Sequence, residues 1–177
     1  RGAELIALSG QLAQKVKGST SQNIKVAAGI PPVFGSYSPG YFVTADAVTM
    51  LEVFKQHLLP FTDIVLAETQ SSIDEVTTIQ KVFADCGQPL WISLTLEDET
   101  ESPDPRLRSG ELLSDALSAI NLDQVEAILF NCSQPEVMAA AVTLSVKQLP
   151  SSKNIGVYAN GFSPISNTIQ ANDGYST

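Results

Sequence analysis

Short apolar runs alternate with longer amphipathic segments along the whole chain. Runs of four or five mostly apolar residues bounded by turn residues are typical of buried strands. Five such runs occur, at 24–28, 64–67, 90–94, 127–130 and 155–159. The segments between them have apolar residues three or four positions apart, which is the period of an amphipathic helix. The pattern therefore predicts helices and strands in strict alternation.

The predicted helices carry start and stop signals. Ser72-Ile73-Asp74-Glu75 and Ser133-Gln134-Pro135-Glu136 match the capping box, in which a serine hydroxyl and a glutamate carboxylate satisfy free backbone N–H groups. Thr44 is placed to cap a helix over 45–59, and the lone histidine, His57, is interpreted as a residue of that helix rather than a ligand. The N-terminal helix has one apolar face, which consists of Leu5, Leu8, Leu12 and Val16.

Strict alternation favours an α/β fold with a parallel sheet and right-handed crossovers, in a single domain over residues 1–177. Two arrangements of that sheet remain possible, a doubly wound open sheet and a closed barrel. A doubly wound sheet would carry a glycine-rich phosphate loop, and the sequence has neither G-x-G-x-x-G nor G-x-x-x-x-G-K. A (β/α)8 barrel needs eight strands, whereas the pattern supplies five.

Charge and cysteine content narrow the classes of function. The net charge of -9 repels phosphate backbones, so nucleic acid is not an expected partner. No uninterrupted apolar run reaches the length of a membrane span, and we expect a soluble, cytoplasmic protein. Cys86 ends a helical segment and Cys132 ends a strand, which places them roughly 15 Å apart on opposite ends of the sheet. Two free thiols fit a reducing compartment.

Polar residues end the predicted strands, and in a parallel sheet they share one edge. A thiol, a carboxylate and carboxamides at such an edge suit a metal, a nucleophile or a polar ligand, although strand capping alone also explains them. A cysteine nucleophile usually recruits a histidine base, and one cysteine alone does not make a zinc site. The residues are Glu68, Thr69, Thr95, Asn131, Cys132 and Asn160.

Five segments, in order and at approximate spacing, resemble the homocysteine S-methyltransferase family, which includes betaine-homocysteine and S-methylmethionine-homocysteine methyltransferases. They are Val26-Ala27-Ala28-Gly29-Ile30-Pro31-Pro32, Asp63-Ile64-Val65-Leu66-Ala67-Glu68-Thr69, Pro89-Leu90-Trp91-Ile92-Ser93, Leu129-Phe130-Asn131-Cys132 with Pro135-Glu136, and Val157-Tyr158-Ala159-Asn160. The resemblance implies a TIM-type (β/α)8 barrel, incomplete here, with the five strands matching the third to the seventh.

The resemblance also implies a chemistry and a role for each matching residue. Its enzymes use a catalytic Zn2+ to transfer a methyl group from a small donor to homocysteine, giving methionine. Cys132 matches the first zinc-binding cysteine, Glu68 the carboxylate that holds the homocysteine amino group, and Asn131 the asparagine beside the metal ligand. Asn160 resembles a residue that lines the binding pocket. No residue of this chain is assigned a direct catalytic role.

The chain departs from the family pattern in ways that affect its expected activity. The family's other two zinc ligands are adjacent cysteines in a Gly-Gly-Cys-Cys motif, which these 177 residues do not contain, and Ala28 and Pro31 replace glycines of the third-strand motif. We therefore expect the isolated chain to be inactive and to self-associate through open sheet edges. The alternative is a non-catalytic barrel fragment or degenerate family member that acts as a binding or assembly module. The methyl donor is not determined by these residues.

Overall fold

Five parallel strands form one sheet in the computed structural model, which describes residues 1–98 and 104–161. Helices separate the strands in the order that the apolar pattern predicts. The elements are α1 (Gly2–Gly18), β1 (Ala27–Ile30), α2 (Thr44–Leu58), β2 (Ile64–Gln70), α3 (Ile73–Val82), β3 (Leu90–Leu94), α4 (Leu113–Ala119), β4 (Val125–Asn131), α5 (Pro135–Gln148) and β5 (Asn154–Tyr158).

The strands lie in the sheet in the order in which they occur in the chain, and every neighbouring pair is parallel. A doubly wound sheet reverses its strand order at a switch point. Consecutive order with crossovers of one hand instead places all connecting helices on one face of the sheet, as in a (β/α)8 barrel. The prediction of an α/β fold of barrel type with five parallel strands is confirmed.

The strand boundaries differ from the apolar runs where polar residues continue the hydrogen-bonded ladder. β3 has the bounds that the sequence predicts. β2 continues through the polar residues to Gln70, because Gln70 still pairs with Leu94 of β3. β1 begins at Ala27 and includes Gly29 and Ile30, which lie beyond the apolar run at 24–28. Backbone pairing, rather than side-chain character, decides these ends.

One of the two predicted capping boxes is confirmed and the other is wrong. The Ser72 hydroxyl accepts a hydrogen bond from the Glu75 N–H and caps α3. At α5 the N-cap residue is Gln134, with Pro135 in the first turn. The Ser133 hydroxyl instead accepts a hydrogen bond from the backbone N–H of Leu96, at 2.8 Å. Ser133 therefore joins the end of β4 to the chain after β3 rather than capping the helix.

The apolar stripe of α1 exists, but it does not face the core. α1 packs on α2 through its opposite side, where Gly10 is buried against Phe61. A Cβ atom at Gly10 would lie 2.8 Å from the ring and Cβ of Phe61, so only glycine permits this approach. The exposed stripe consists of Leu5, Leu8, Leu12 and Val16.

The core lies between the sheet and its helices. Phe83 and Phe130 are its largest fully buried side chains, and apolar residues from all five strands contribute to it. Cys86 and Cys132 are free thiols, as the sequence predicts. Among the helices that the structure describes, none has the length and apolar character needed to cross a membrane.

Candidate functional site

The polar residues at the carboxyl ends of the strands lie together, as parallel pairing requires. Glu68 is near the end of β2, Asn131 ends β4, and Cys132 follows it directly. The Tyr158 hydroxyl, at the end of β5, lies 2.8 Å from the Ser93 hydroxyl on β3 and 3.5 Å from a carboxylate oxygen of Glu68. Side chains from four strands therefore share one face and one edge of the sheet.

A bulge at the end of β2 places Glu68 and Thr69. The pairing of β2 with β3 shifts register between Ala67 and Gln70, and Thr69 adopts a positive φ of 60°. A β-branched residue in this region is strained, and bulges redirect side chains beside functional sites. Gln70 stabilises the bulge, since its amide donates to the carbonyl of Glu68 at 2.8 Å.

Gly29 leaves room for the Glu68 carboxylate on the neighbouring strand. A Cβ atom at Gly29 would lie 3.4 Å from Oε2 of Glu68, so a larger residue in β1 would crowd the carboxylate. Glu68 is half-buried, so its carboxylate is only partly removed from water. This carboxylate can therefore accept hydrogen bonds from a cationic group of a small ligand.

Asn131 is fully buried and connects three hydroxyl or thiol groups. Its carbonyl oxygen accepts a hydrogen bond from the Ser93 hydroxyl at 2.8 Å. Its amide nitrogen donates to the Thr69 hydroxyl at 2.7 Å and to the Cys132 sulfur at 3.2 Å. A buried amide with these three partners has one fixed orientation.

Cys132 occupies a strained backbone position at the centre of this group. Its φ is 51°, and its sulfur lies 3.8 Å from the Thr69 hydroxyl. Tyr37, in the loop after β1, also has a positive φ, of 62°, and its hydroxyl forms a hydrogen bond with Cys132. Among the described residues, these three are the non-glycine residues with positive φ, and all three meet at one sulfur atom. Strain concentrated at one point is typical of functional sites.

Arg108 closes the site on the side of the loop after β3. Its guanidinium donates to the backbone carbonyl of Cys132 at 3.2 Å and to Asp98 at 2.8 Å. It also lies over the ring of Tyr37, with 5.0 Å between Cζ and the ring centroid. Asp98 in turn accepts a hydrogen bond from the N–H of Gln134, at the start of α5. Contacts of Tyr37 and Arg108 therefore hold the loops after β1 and β3 next to Cys132.

Two tyrosine hydroxyls at the site remain protonated at neutral pH. Burial raises the pKa of Tyr158 to about 12; the hydrogen bond to Ser93 lowers it, and the charge of Glu68 raises it. Burial also raises the pKa of Tyr37 well above its ordinary value, and the hydrogen bond and charge of Cys132 add to this effect, whereas Arg108 opposes it. Both phenols therefore act as hydrogen-bond donors.

Asn160, the last residue predicted for the site, lies beside Ser133, which belongs to the segment that connects β4 to α5. Its backbone N–H donates to the carbonyl of Ser133 at 2.9 Å, which holds the end of β5 next to the residue after Cys132. Thr95, which is also among the predicted site residues, is buried, and its hydroxyl oxygen lies 3.4 Å from the carbonyl oxygen of Cys132. The structure thus places every residue predicted from the strand ends at one edge of the sheet.

The described residues do not form a complete zinc site. Within residues 1–98 and 104–161, no three His, Cys, Asp or Glu side chains are grouped closely enough to hold a metal ion. Cys86, the other cysteine, follows α3 and donates to the carbonyl of Gln88, at the opposite end of the sheet. Cys132 is suited to be one zinc ligand, whereas zinc sites use three or four.

Four residues of the site do not belong to the polar residues that end the predicted strands: Tyr37, Ser93, Arg108 and Tyr158. Ser93 and Tyr158 lie inside the apolar runs, where a single polar residue does not indicate a functional site. Tyr37 and Arg108 lie in two connections, at 29–41 and 97–108, that are far longer than ordinary strand-to-helix loops, and such length in a sequence indicates a functional segment. Within the second connection, the acidic residues Asp98, Glu99, Glu101 and Asp104 predict a rim in solvent, and the structure describes only Asp98 and Asp104 of the four. Asp98 pairs with Arg108 rather than lying in solvent.

Comparisons with known proteins identify the family and support the fold. The family model described as homocysteine S-methyltransferase matches residues 1–176. The apo form of the homocysteine methyltransferase MmuM from Escherichia coli is 19% identical, with a TM-score of 0.70 over 89% of this chain. Its metallated form is 23% identical, with a TM-score of 0.74 over 90% of this chain. The chain covers 68% and 58% of those two chains, respectively. No significant match is found among curated proteins.

Proposed function

The chain belongs to the homocysteine S-methyltransferase family, and we propose that it forms the central part of an enzyme that methylates homocysteine. In this reaction homocysteine loses its thiol proton to solvent, and the resulting thiolate attacks the methyl carbon of a small activated donor. The demethylated donor leaves with the electron pair of the broken bond, and methionine forms. The observation that supports this proposal is the pairing of an accessible carboxylate, Glu68, with a thiol, Cys132, in one hydrogen-bonded group.

Glu68 is suited to hold the amino group of homocysteine. An ammonium group is best recognised by a carboxylate that is partly removed from water, and Glu68 is half-buried beside Gly29. Tyr158 lies at the same carboxylate and leaves its charge uncompensated, because a neutral phenol carries no positive charge. A substrate cation would provide that compensation.

Cys132 is proposed as one ligand of a catalytic zinc ion. A zinc ion with an open coordination position lowers the pKa of a thiol that binds there, which makes the thiol a nucleophile near neutral pH. The described residues supply one such ligand, so the remaining ligands must come from elsewhere in the protein. The contribution of this chain is to hold the Cys132 sulfur at a fixed point beside Glu68. Asn131 orients that sulfur, and Asn160 lines the site.

The methyl donor can be identified with the natural full-length protein. Homocysteine is incubated with S-methylmethionine, betaine, a methylated folate or S-adenosylmethionine in turn, and methionine is quantified by mass spectrometry. The proposal requires methionine with at least one donor, and a protein that makes none from any of them, with zinc bound, would contradict it.

The alternative is a binding or assembly module without catalytic activity. The observation that favours it is that the described residues contain a single thiol at the site and no three-residue metal cluster. A full-length protein that never binds zinc would support this alternative over the enzyme.

A further inference from the structure

A directed chain of hydrogen bonds runs from β5 to the Cys132 sulfur. Its links are Tyr158 to Ser93 at 2.8 Å, Ser93 to Asn131 at 2.8 Å, and Asn131 to the Cys132 sulfur at 3.2 Å. Ser93 and Asn131 are fully buried, so water does not replace the hydrogen bond between them. The chain crosses three strands and ends on the one thiol of the site.

The direction of each link follows from the number of protons available. The amide oxygen of Asn131 only accepts, so the single proton of Ser93 must point to it. Ser93 then has only lone pairs for Tyr158, and the Tyr158 hydroxyl must be the donor. The amide nitrogen of Asn131 consequently faces the Cys132 sulfur. If the Tyr158 proton is removed, the Ser93 hydroxyl loses the donor that fixes its rotation. Asn131 then loses one support of its orientation, and its hydrogen bond to Thr69 remains.

We propose that Tyr158 and Ser93 are positioning residues that hold Asn131, and through it the Cys132 sulfur, in the orientation needed for methyl transfer. This inference rests on the proposed function, since the orientation matters only if Cys132 serves the reaction. Neither side chain is assigned a contact with the reacting atoms. Their effect passes through the Asn131 amide.

Tyr158 also links this chain to the amine-binding carboxylate. It has one proton, and two acceptors compete for it: Ser93 at 2.8 Å and Glu68 at 3.5 Å. A charged carboxylate is the stronger acceptor when it has no other partner. A substrate ammonium on Glu68 satisfies the carboxylate and leaves the Tyr158 proton on Ser93. Binding of the amino group therefore favours the arrangement in which Cys132 is held.

The test uses three variants of the natural full-length protein. Tyr158→Phe removes the hydroxyl and keeps the ring, Ser93→Ala removes the middle link, and the double variant removes both. Tyr41→Phe is the matched control, because Tyr41 is 75% exposed on the 3-10 turn Pro39–Tyr41. The side-chain amide signals of Asn131 are followed by NMR, assigned by their loss in Asn131→Asp, and kcat and KM for homocysteine are measured in parallel.

We expect Tyr158→Phe to shift the Asn131 amide signals and to lower kcat roughly five- to tenfold, as for loss of one buried hydrogen bond. KM should change less than about threefold, because Glu68 is retained. The double variant should lose no more than Ser93→Ala alone, since both residues act through one chain. Tyr41→Phe should match the unmodified protein.

Unchanged Asn131 signals in Tyr158→Phe would overturn the proposal, as would losses that multiply in the double variant. A rise in KM at constant kcat would also overturn it, because Tyr158 would then act only on substrate binding. If the unmodified protein methylates homocysteine and Tyr158→Phe does so equally well, the positioning role fails and the proposed function stands. If the unmodified protein forms no methionine, the proposed function fails, and the Asn131 signals alone decide whether the chain orients the amide.

Discussion

The hydroxyl of Tyr158 lies 3.5 Å from the carboxylate of Glu68, although two strands separate the strands that carry them. Neighbouring strands are about 4.8 Å apart, so a flat sheet would hold these two positions roughly 14 Å apart. Side chains perpendicular to a flat sheet would not meet over that distance. The sheet must therefore be curved, with Glu68 and Tyr158 on its concave face, as in the wall of a barrel.

The first prediction concerns the recognition of the substrate amine. Glu68→Gln keeps the size of the side chain but removes its charge, so the ammonium group of homocysteine loses its partner. Hydrogen bonds to charged groups contribute about 1.5–3 kcal/mol, and KM for homocysteine should therefore rise roughly 10- to 100-fold. Steady-state kinetics of the full-length protein measures this change.

The control for that change is Glu52→Gln, on the exposed surface of α2, which should leave KM unaltered. An equal rise in KM in both variants would mean that net charge, rather than the position of Glu68, determines affinity. An unaltered KM in Glu68→Gln would remove Glu68 from the binding site.

The sequence predicts the strands better than it predicts the network at their ends. β3 has the predicted bounds because its apolar run coincides with its ladder. Strand ends also identify Glu68, Asn131 and Cys132, since parallel pairing brings carboxyl ends to one edge. Ser93 and Tyr158 are not predicted, because Tyr158 contacts residues on strands that are not its neighbours in the sheet, and these contacts depend on the curvature of the sheet.

The prediction of helix N-termini from the sequence has the same limit, because contacts that depend on the fold are not visible in local patterns. The Ser72 box is local in sequence and is confirmed, because its partner is three residues away. Ser133 has the same local pattern, yet its hydroxyl pairs with Leu96, which only the fold brings near. Local patterns therefore fail where a tertiary partner competes for the same hydroxyl.

The second prediction concerns stability and pH. Lys17 contacts both carboxylate oxygens of Asp63, at 2.7 and 2.8 Å, and the Val26 N–H donates to the same carboxylate. The hydrogen bond from Lys17, followed by that from Val26, holds the pKa of Asp63 below its ordinary value of 3.8. This contribution to stability is complete above about pH 4 and disappears as the pH falls through the lowered pKa.

Asp63→Asn should therefore unfold at a lower urea concentration than the unmodified chain at pH 7, and the difference should shrink at the lowest pH at which the chain remains folded. Urea unfolding curves at several pH values measure this difference. Asp123→Asn, at an exposed position, should behave like the unmodified chain throughout. A difference that is independent of pH would show that Asp63 contributes packing rather than charge.

The third prediction concerns the open edges of the sheet. β1 pairs only with β2, and β5 pairs only with β4, within the residues that the structure describes. Unpaired edge groups bind further strands, so we expect the 177-residue chain to associate with a second copy as its concentration rises. Val157→Lys, which places a charge on the edge strand β5, should weaken this association in sedimentation velocity.

Val146→Lys is the matched control, because Val146 is also exposed but lies on the helix α5. It should leave the association unchanged. If the unmodified chain remains a monomer at all concentrations, or if both lysine variants have the same effect, edge pairing is not the cause of association.

The fourth prediction concerns zinc in the 177-residue chain. Its described residues provide one thiol at the site, Cys132, and no cluster of three metal-binding side chains, whereas a zinc site needs about three protein ligands. The chain should bind zinc weakly in a chelator competition and form no methionine. Stoichiometric zinc that survives a strong chelator would show that this chain holds a complete site.

The central claim is that Cys132 is a zinc ligand of a homocysteine methyltransferase, and one comparison tests it most directly. Bound zinc and methionine formation are measured for the full-length protein, for Cys132→Ala and for Cys86→Ala, whose thiol lies at the opposite end of the sheet. We predict zinc and activity in the unmodified protein and in Cys86→Ala, and loss of both in Cys132→Ala. Normal zinc content and turnover in Cys132→Ala would contradict the account and reduce Cys132 to a packing residue.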